Sequence, residues 1–291
     1  VSAQQSERAF AKINLTLRVL GRRADGYHEL ESLVAFADLA DILTLEPGPR
    51  DHLEISGPFA DKSGPIDDNL VLKSATELRR RIAGLTGGRF HLEKRLPVAA
   101  GIGGGSADAA AALRLLAHAN NLATNDPRLA AAAQSVGADV PVCVDPKPRI
   151  MRGIGEILSD PIDLPRLAAV LVNPGVALTT RNVFGQFKGR RSDAALVDVP
   201  DEFDAFIEFL NRQGNDLTTA AIECAPVIGE VLDALRSAAG SRLARMSGSG
   251  ATCFALFATP AEATAAARRL KAERTAWWVE ATVIGPAQRK T

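Results

Sequence analysis

The sequence predicts an α+β protein of two domains, and three observations carry that expectation. The chain has 291 residues, enough for two cores at roughly 100–200 residues per domain. Strand-like and helix-like segments alternate without a regular βαβ period, which disfavours a doubly wound sheet. A proline-containing stretch at 161–165 precedes a fresh apolar segment, so the expected domains are 1–162 and 163–291.

The elements follow in chain order. Ala11, Ile13, Leu15, Leu17 and Val19 alternate with Lys12, Asn14, Thr16 and Arg18, the period-2 pattern of a half-covered strand. Lys12 and Asn14 then share a face, about 6–7 Å apart along the strand. A turn spans Gly21 to Gly26, and Leu33 to Phe36 and Ile42 to Leu45 read as two strands. Residues 46–68 hold four Pro and three Gly and predict a loop-rich excursion with a short strand at Leu53 to Ile55. Asp67-Asp68-Asn69 opens a helix whose Leu72, Ala75, Leu78 and Ile82 recur at helical spacing. A strand over Phe90 to Glu93, a glycine-rich loop over 101–105 and a helix over Ser106 to Ala119 come next, then a helix over Pro127 to Val136 and a short apolar piece over Val140 to Val144. The second part reads as a strand over Ala168 to Val172, a basic connection near 188–193, helices near 201–212 and 226–238, the loop Ser247 to Gly250, a strand over Cys253 to Phe257, a helix over 260–273 and a last strand over Trp277 to Val283.

Composition narrows the function classes. Lys plus Arg and Asp plus Glu both number 34, so affinity for a nucleic-acid duplex or an anionic membrane through bulk charge is not expected. Cys143, Cys224 and Cys253 are scattered, as are His28, His52, His91 and His118, which predicts neither a disulfide framework nor a transition-metal cluster. The first residues carry no basic-then-apolar leader, and no segment approaches the roughly 18–20 apolar residues of a membrane span. The expected setting is cytoplasmic.

The strongest local signal is Pro97-Val98-Ala99-Ala100-Gly101-Ile102-Gly103-Gly104-Gly105-Ser106-Ala107. Its four glycines allow positive φ and close approach to an anion, and the helix that follows adds unpaired N–H groups and the positive end of its dipole. No Gly-Lys-Ser/Thr follows, so this is not a Walker A loop, and Ser106 stands where a dinucleotide fingerprint needs Gly or Ala. Taken alone the run is equally a flexible turn capped by Ser106, Lys12 a solvated strand residue, and Asp139 the start of a turn before Pro141. Tyr27 beside His28 suits stacking on a planar ligand ring, or a packed hairpin tip. Serine-nucleophile chemistry is not supported, because Ser247-Gly248-Ser249-Gly250 lacks the Gly-x-Ser-x-Gly frame, with Met246 and not Gly preceding Ser247.

The combination is more specific than its parts. Ala11-Lys12-Ile13-Asn14-Leu15, Asp25-Gly26-Tyr27-His28, Asp68-Asn69-Leu70, Lys94-Arg95-Leu96-Pro97 with the glycine loop, Gly137-Ala138-Asp139-Val140-Pro141, Gly153-Ile154-Gly155-Glu156, Asn173-Pro174-Gly175 and Ser247-Gly248-Ser249-Gly250-Ala251 occur in one order. From about residue 9 to the C-terminus the chain resembles the galactokinase, homoserine, mevalonate and phosphomevalonate (GHMP) kinase superfamily. Within it, Asp25 to His28 with Lys12 and Asn14 resembles the branch whose small-molecule substrate is a cytidine-diphospho sugar alcohol, in the non-mevalonate route to isoprenoid precursors. The resemblance implies an N-terminal ribosomal-protein-like α/β domain, a ferredoxin-like C-terminal domain, ATP and Mg²⁺ as cofactors, and transfer of the γ-phosphoryl group to the 2-hydroxyl of the substrate's methylerythritol moiety. By the same resemblance, Pro97 to Ala107 wrap the phosphates, and Asn69 and Lys94 lie near the nucleotide. Asp139 takes the hydroxyl proton, and Lys12 lies near it and favours the alkoxide. Asn14 and Thr180 hold the substrate, Tyr27 and Phe184 sandwich its cytosine, and His28 bonds the edge of that ring.

Asp108, in the first turn after the loop, is expected either to face away from ATP or to share Mg²⁺, and the ligands of the ion stay open. The expected state is a monomer or weak homodimer without nucleic-acid or membrane partners. Two other readings stand beside this one: a homoserine- or mevalonate-type kinase, which leaves Tyr27-His28 unexplained, and a non-catalytic RNA-binding protein on the same N-terminal fold.

Overall fold

The computed structural model describes residues 4–189, 196 and 198–285. Residues 190–195 and 197 of the basic connection lie outside that set. The chain divides into two compact units, one formed by 1–11, 39–98 and 103–146 and the other by 12–38, 99–102 and 147–291. Among the described residues no helix is long and apolar enough to cross a membrane.

Strand β1 runs over Gln5–Asn14 and β2 over Arg18–Arg22. The alternation over 11–19 predicted one half-covered strand. The strand instead ends at Asn14, and both faces of this segment are covered, with Lys12, Asn14 and Thr16 all buried. Thr16 shows how a polar residue is accommodated there, since its hydroxyl accepts from Leu33 N–H at 2.9 Å. The two strands expected over 33–36 and 42–45 are one, β3 over His28–Gly48. Asp38 and Asp41 look like a break, yet Asp41 is fully buried because the backbone and Lys94 supply its partners.

The first unit holds β4 (His52–Ser56), β5 (Gly87–Glu93), α1 (Leu70–Arg81), α2 (Gly104–Ala119), α3 (Pro127–Val136) and α4 (Val140–Val144). β5 pairs antiparallel with the second half of β3, from Ile42 opposite Glu93 to Gly48 opposite Gly87, and parallel with β4. α1 packs on α2 and α3, and α2 on α4. Leu43, Leu45, Leu53, Leu78 and Phe90 are fully buried. α2 is buried almost all round by Ala107 and Ala109 to Ala112, whose small side chains let neighbouring helices approach. It opens at Gly104 behind Gly103 in the left-handed conformation, so Ser106 lies inside the helix and is not its cap.

The second unit is built on β8 (Leu167–Asn173), which pairs antiparallel with β11 (Trp278–Gly285) on one side and β10 (Cys253–Phe257) on the other; β9 (Leu243–Met246) pairs with β10. This order with crossover helices is a ferredoxin-like arrangement. Its helices are α5 (Thr180–Gln186), α6 (Phe203–Arg212), α7 (Thr218–Cys224), α8 (Val227–Arg236) and α9 (Pro260–Glu273), the last opened by a capping box between Thr259 and Glu262. β6 (Arg149–Gly153) pairs with the first half of β3 and with β7 (Ile157–Leu158). β6, β7, β9, α5 and α7 carry too few residues for periodicity to reveal them, and Val140–Val144 is a single helical turn.

Candidate active site

The first unit contributes Asn69, Lys94, Pro97, Val98, Gly103, Gly104, Gly105, Ser106, Ala107 and Asp139. The chain leaves β5 at Lys94, crosses the glycine run and enters α2. Gly101 at φ 73° and Gly103 at φ 61° require the left-handed region, and Ala99 shares it at φ 52°; here glycine removes a steric cost that any larger residue meets. Asn69 caps α1, its side-chain oxygen accepting from Val71 N–H at 3.0 Å. Lys94 Nζ is buried between two carboxylates, bonded to Asp41 and, at 2.7 Å, to Asp108. Asp108 thus turns into the interior of the unit.

Asp139 stands at the N-terminus of α4, half-buried, and makes no capping bond to that helix. The helix is fixed from α2: Arg114 donates to Cys143 O of α4 at 2.8 Å, to Arg8 O at 2.9 Å and to Glu7 at 2.8 Å. One helix, α2, therefore both closes the glycine loop and anchors the turn that carries Asp139.

The second unit contributes Lys12, Asn14, Tyr27, His28, Ala99, Ala100, Gly101, Ile102, Thr180 and Phe184. Lys12 is only 4% exposed, and its N–H donates to Ile102 O at 2.9 Å, so the solvated reading of this lysine fails. Ser247 is the hub. Its hydroxyl accepts from Asn14 N–H at 3.0 Å and donates to Gly101 O at 2.9 Å, while Thr252 N–H donates to Ala100 O at 3.0 Å. A Cβ on Gly101 would lie 2.5 Å from Gly250 O and 2.6 Å from Ser247 O, so only glycine lets the two loops meet.

Asn14 donates from Nδ2 to Ser32 Oγ at 2.7 Å. Its Oδ1 is buried and has no hydrogen-bond partner among the described residues. Thr180 and Ser249 share a hydroxyl–hydroxyl bond at 3.0 Å, which joins the far end of the 247–250 loop to α5. The sequence did not single out Asn215, whose amide donates to Met246 O and Gly248 O, both at 2.8 Å. Nor did it single out Arg245, whose guanidinium donates to Leu15 O and Leu210 O, both at 2.7 Å. Their partners are carbonyls, which leave no residue-type signal.

Tyr27 sits at a hairpin tip, 61% exposed, in a turn where its N–H donates to Asp25 Oδ1 at 3.0 Å. His28 stacks on Phe184 with ring centroids 4.8 Å apart and meets Phe187 edge-on at 6.2 Å. Phe187 is a further aromatic the sequence reading missed. Desolvation first, then the positive charge of Arg22, holds the His28 imidazole below its usual pKa, so the ring is neutral at pH 7 and can donate from one nitrogen and accept at the other.

The first unit holds a helix N-terminus suited to phosphates and a carboxylate, Asp139, and the second holds a buried cation, Lys12, and a group of aromatic rings; these are the kinds of group that phosphoryl transfer to a hydroxyl uses. Comparison with known proteins agrees. Residues 69–145 match the GHMP kinases N terminal domain and 196–275 the GHMP kinases C terminal model. A 4-diphosphocytidyl-2-C-methyl-D-erythritol kinase of Methylorubrum extorquens is 55% identical over 282 residues, covering 94% of this chain and 97% of the relative. A crystal structure of 4-(cytidine 5'-diphospho)-2C-methyl-D-erythritol kinase superposes with a TM-score of 0.77 at 36% identity, over 97% of this chain and 99% of the other. A homoserine kinase from Cytophaga hutchinsonii gives a TM-score of 0.72 at 19% identity, over 98% of this chain and 96% of the other, and shares the fold alone.

Proposed function

The chain belongs to the 4-diphosphocytidyl-2-C-methyl-D-erythritol kinase family of the GHMP kinases, and from that premise we propose how its own residues divide the reaction. The enzyme is an ATP-dependent phosphotransferase that places the γ-phosphoryl group on the 2-hydroxyl of 4-diphosphocytidyl-2-C-methyl-D-erythritol, in the non-mevalonate route to isoprenoid precursors. The observation that carries the assignment of roles is Asn14 Oδ1, a buried acceptor with no partner among the described residues. A buried carbonyl oxygen without a donor costs free energy, and a substrate hydroxyl is the donor it suits.

In this reading the backbone amides of Pro97 to Ala107 and the start of α2 bind the triphosphate, with Asn69 and Lys94 flanking the nucleotide. The Lys94 ammonium is occupied by Asp41 and Asp108, so its contribution runs through the backbone it fixes. Asp139 orients the 2-hydroxyl and accepts its proton as the oxygen attacks in line. Lys12 supplies the positive charge that favours the alkoxide. Asn14 and Thr180 hold the methylerythritol chain. Tyr27 and Phe184 take the cytosine between them, and neutral His28 leaves the face of Phe184 to bond the edge of the base.

Mg²⁺ would arrive with the triphosphate, held by phosphate oxygens and water, and when bound it neutralises phosphate charge. Asp108 is not offered as its ligand, because one oxygen is bonded to Lys94 and the other is buried. The reading keeps a division at 162/163, which leaves both matched segments whole. It also keeps a cytoplasmic enzyme, monomeric or weakly dimeric, without nucleic-acid or membrane partners, which the zero formal charge supports.

The test is coupled ADP release with Mg·ATP and three acceptors: the cytidyl-diphospho-methylerythritol, homoserine and mevalonate. Turnover with the first alone is expected. Turnover with homoserine or mevalonate would overturn the substrate roles of Tyr27, His28 and Phe184, and RNA retention at physiological salt without turnover would overturn the catalytic reading.

A further inference from the structure

The glycine run has almost no side chains with which to hold its own shape, yet both of its ends meet one buried ionic cluster. Asp41 receives three successive residues as the chain leaves β5. Its Oδ1 accepts from Arg95 N–H at 2.5 Å and Leu96 N–H at 2.8 Å, and its Oδ2 is bonded to the Lys94 ammonium. Lys94 then reaches Asp108, one turn into α2, at 2.7 Å. The same ammonium would lie 3.6 Å from a Cβ on Gly104, the first residue of that helix. All three side chains are at most 5% exposed.

We propose that Asp41, Lys94 and Asp108 form a staple that fixes the entry of the 97–103 loop to its exit, and that Asp108 is a positioning residue for ATP. The proposal rests on the reading that this loop holds the triphosphate. Charge bookkeeping supports it. Two carboxylates and one ammonium leave a net negative charge beneath an anion site, unless one carboxyl stays protonated. Burial, with Asp41 adding to it and Lys94 opposing, pushes Asp108 up to about 7, and its second oxygen lacks a hydrogen-bond partner among the described residues. Asp41 and Lys94 are the charged groups that act on it; Ser74, a buried residue of the packed helix α1, is uncharged. With Asp108 only partly ionised near neutral pH, Asp41 stays as the counter-charge of Lys94 when the Asp108 side chain is removed. A staple of this kind can therefore be opened at its α2 end without unfolding the unit.

The experiment compares Asp108→Ala and Asp108→Leu, which remove the acceptor for Lys94, with Asp108→Asn, which keeps one. The full chain is assayed with Mg·ATP and the cytidyl acceptor. The expected result is a KM for ATP raised about tenfold in the Ala and Leu variants, with the KM for the acceptor within about twofold and the ATP value restored in Asn, as a misplaced loop requires. Amide hydrogen exchange on whichever of the two stays folded should quicken over 97–107 alone. An unchanged KM for ATP, or equal losses for both substrates that track the folded fraction, would overturn the staple. If both Ala and Leu fail to fold, the cluster is a stability device and the proposal is likewise overturned. Absence of turnover in the wild type would instead remove the phosphate-loop reading on which the proposal stands.

Discussion

The loop over 97–103 is anchored at both ends by buried charges, whereas the loop over 247–250 is held by neutral groups: Ser247, Asn215, Thr252 and Ser249. Both depend on glycine for close approach, and they touch through Gly101 and Ser247. The difference follows from what each must face. An ion pair in a low-dielectric interior holds geometry firmly but leaves no spare valence, and losing Lys94 or Asp41 strands the charge of the other. Neutral hydroxyls and amides hold less firmly and can leave an acceptor over for a ligand, as Asn14 does beside Gly248. Rigid charge therefore lies at the ends of the 97–103 loop, and adaptable neutral bonding lies beside the proposed hydroxyl site.

Four substitutions sharpen or break that comparison. Asp139→Asn changes a residue outside both loop segments and should lower kcat by about 10²–10⁴ with ATP binding kept, the range for a positioned base. Steady-state kinetics with ATP titration checks it, and a matching loss of ATP affinity would mean that the loops and the base are not separable. Gly101→Ala strikes the point where the loops meet, at φ 73° with two carbonyl oxygens within 2.6 Å of the new Cβ. Left-handed strain and overpacking together should cost about 2–5 kcal/mol in urea unfolding, and a stable, active variant would show that the loops need not touch.

Ser247→Ala leaves Asn14 N–H and Gly101 O without their shared partner. It should cost about 2–4 kcal/mol and raise KM for both substrates. A rise for one substrate alone would deny Ser247 its place between them. Tyr27→Ala should weaken acceptor binding by about 1–3 kcal/mol, the scale of a base–aromatic stack. It should leave the melting temperature unchanged, because the ring is exposed. An unchanged KM for the acceptor would remove the stack.

The legibility of the sequence follows the same divide. Glycine loops are readable because positive φ leaves a residue-type mark, and helices 127–136 and 260–273 because period and caps agree. Partnerships across long separations are not readable. Asp41 meets Lys94 across 53 residues, and Asn14 meets Ser247 across 233. A polar residue in a strand pattern therefore looked like a break in β3 and like a solvated face in β1. Within the candidate site, the order of motifs carried the family, but Asn215, Arg245 and Phe187 had no motif to mark them.

The alanines of α2 have one more effect. Alanine has no side-chain rotamers to freeze, so burying Ala107 and Ala109 to Ala112 costs little conformational entropy beyond the backbone. The first turns of the helix that follows the glycine loop are thus assembled with little side-chain ordering to repay. They have correspondingly few alternative packings to wander into, which makes the start of α2 a stiff reference point against which the proposed triphosphate site is set.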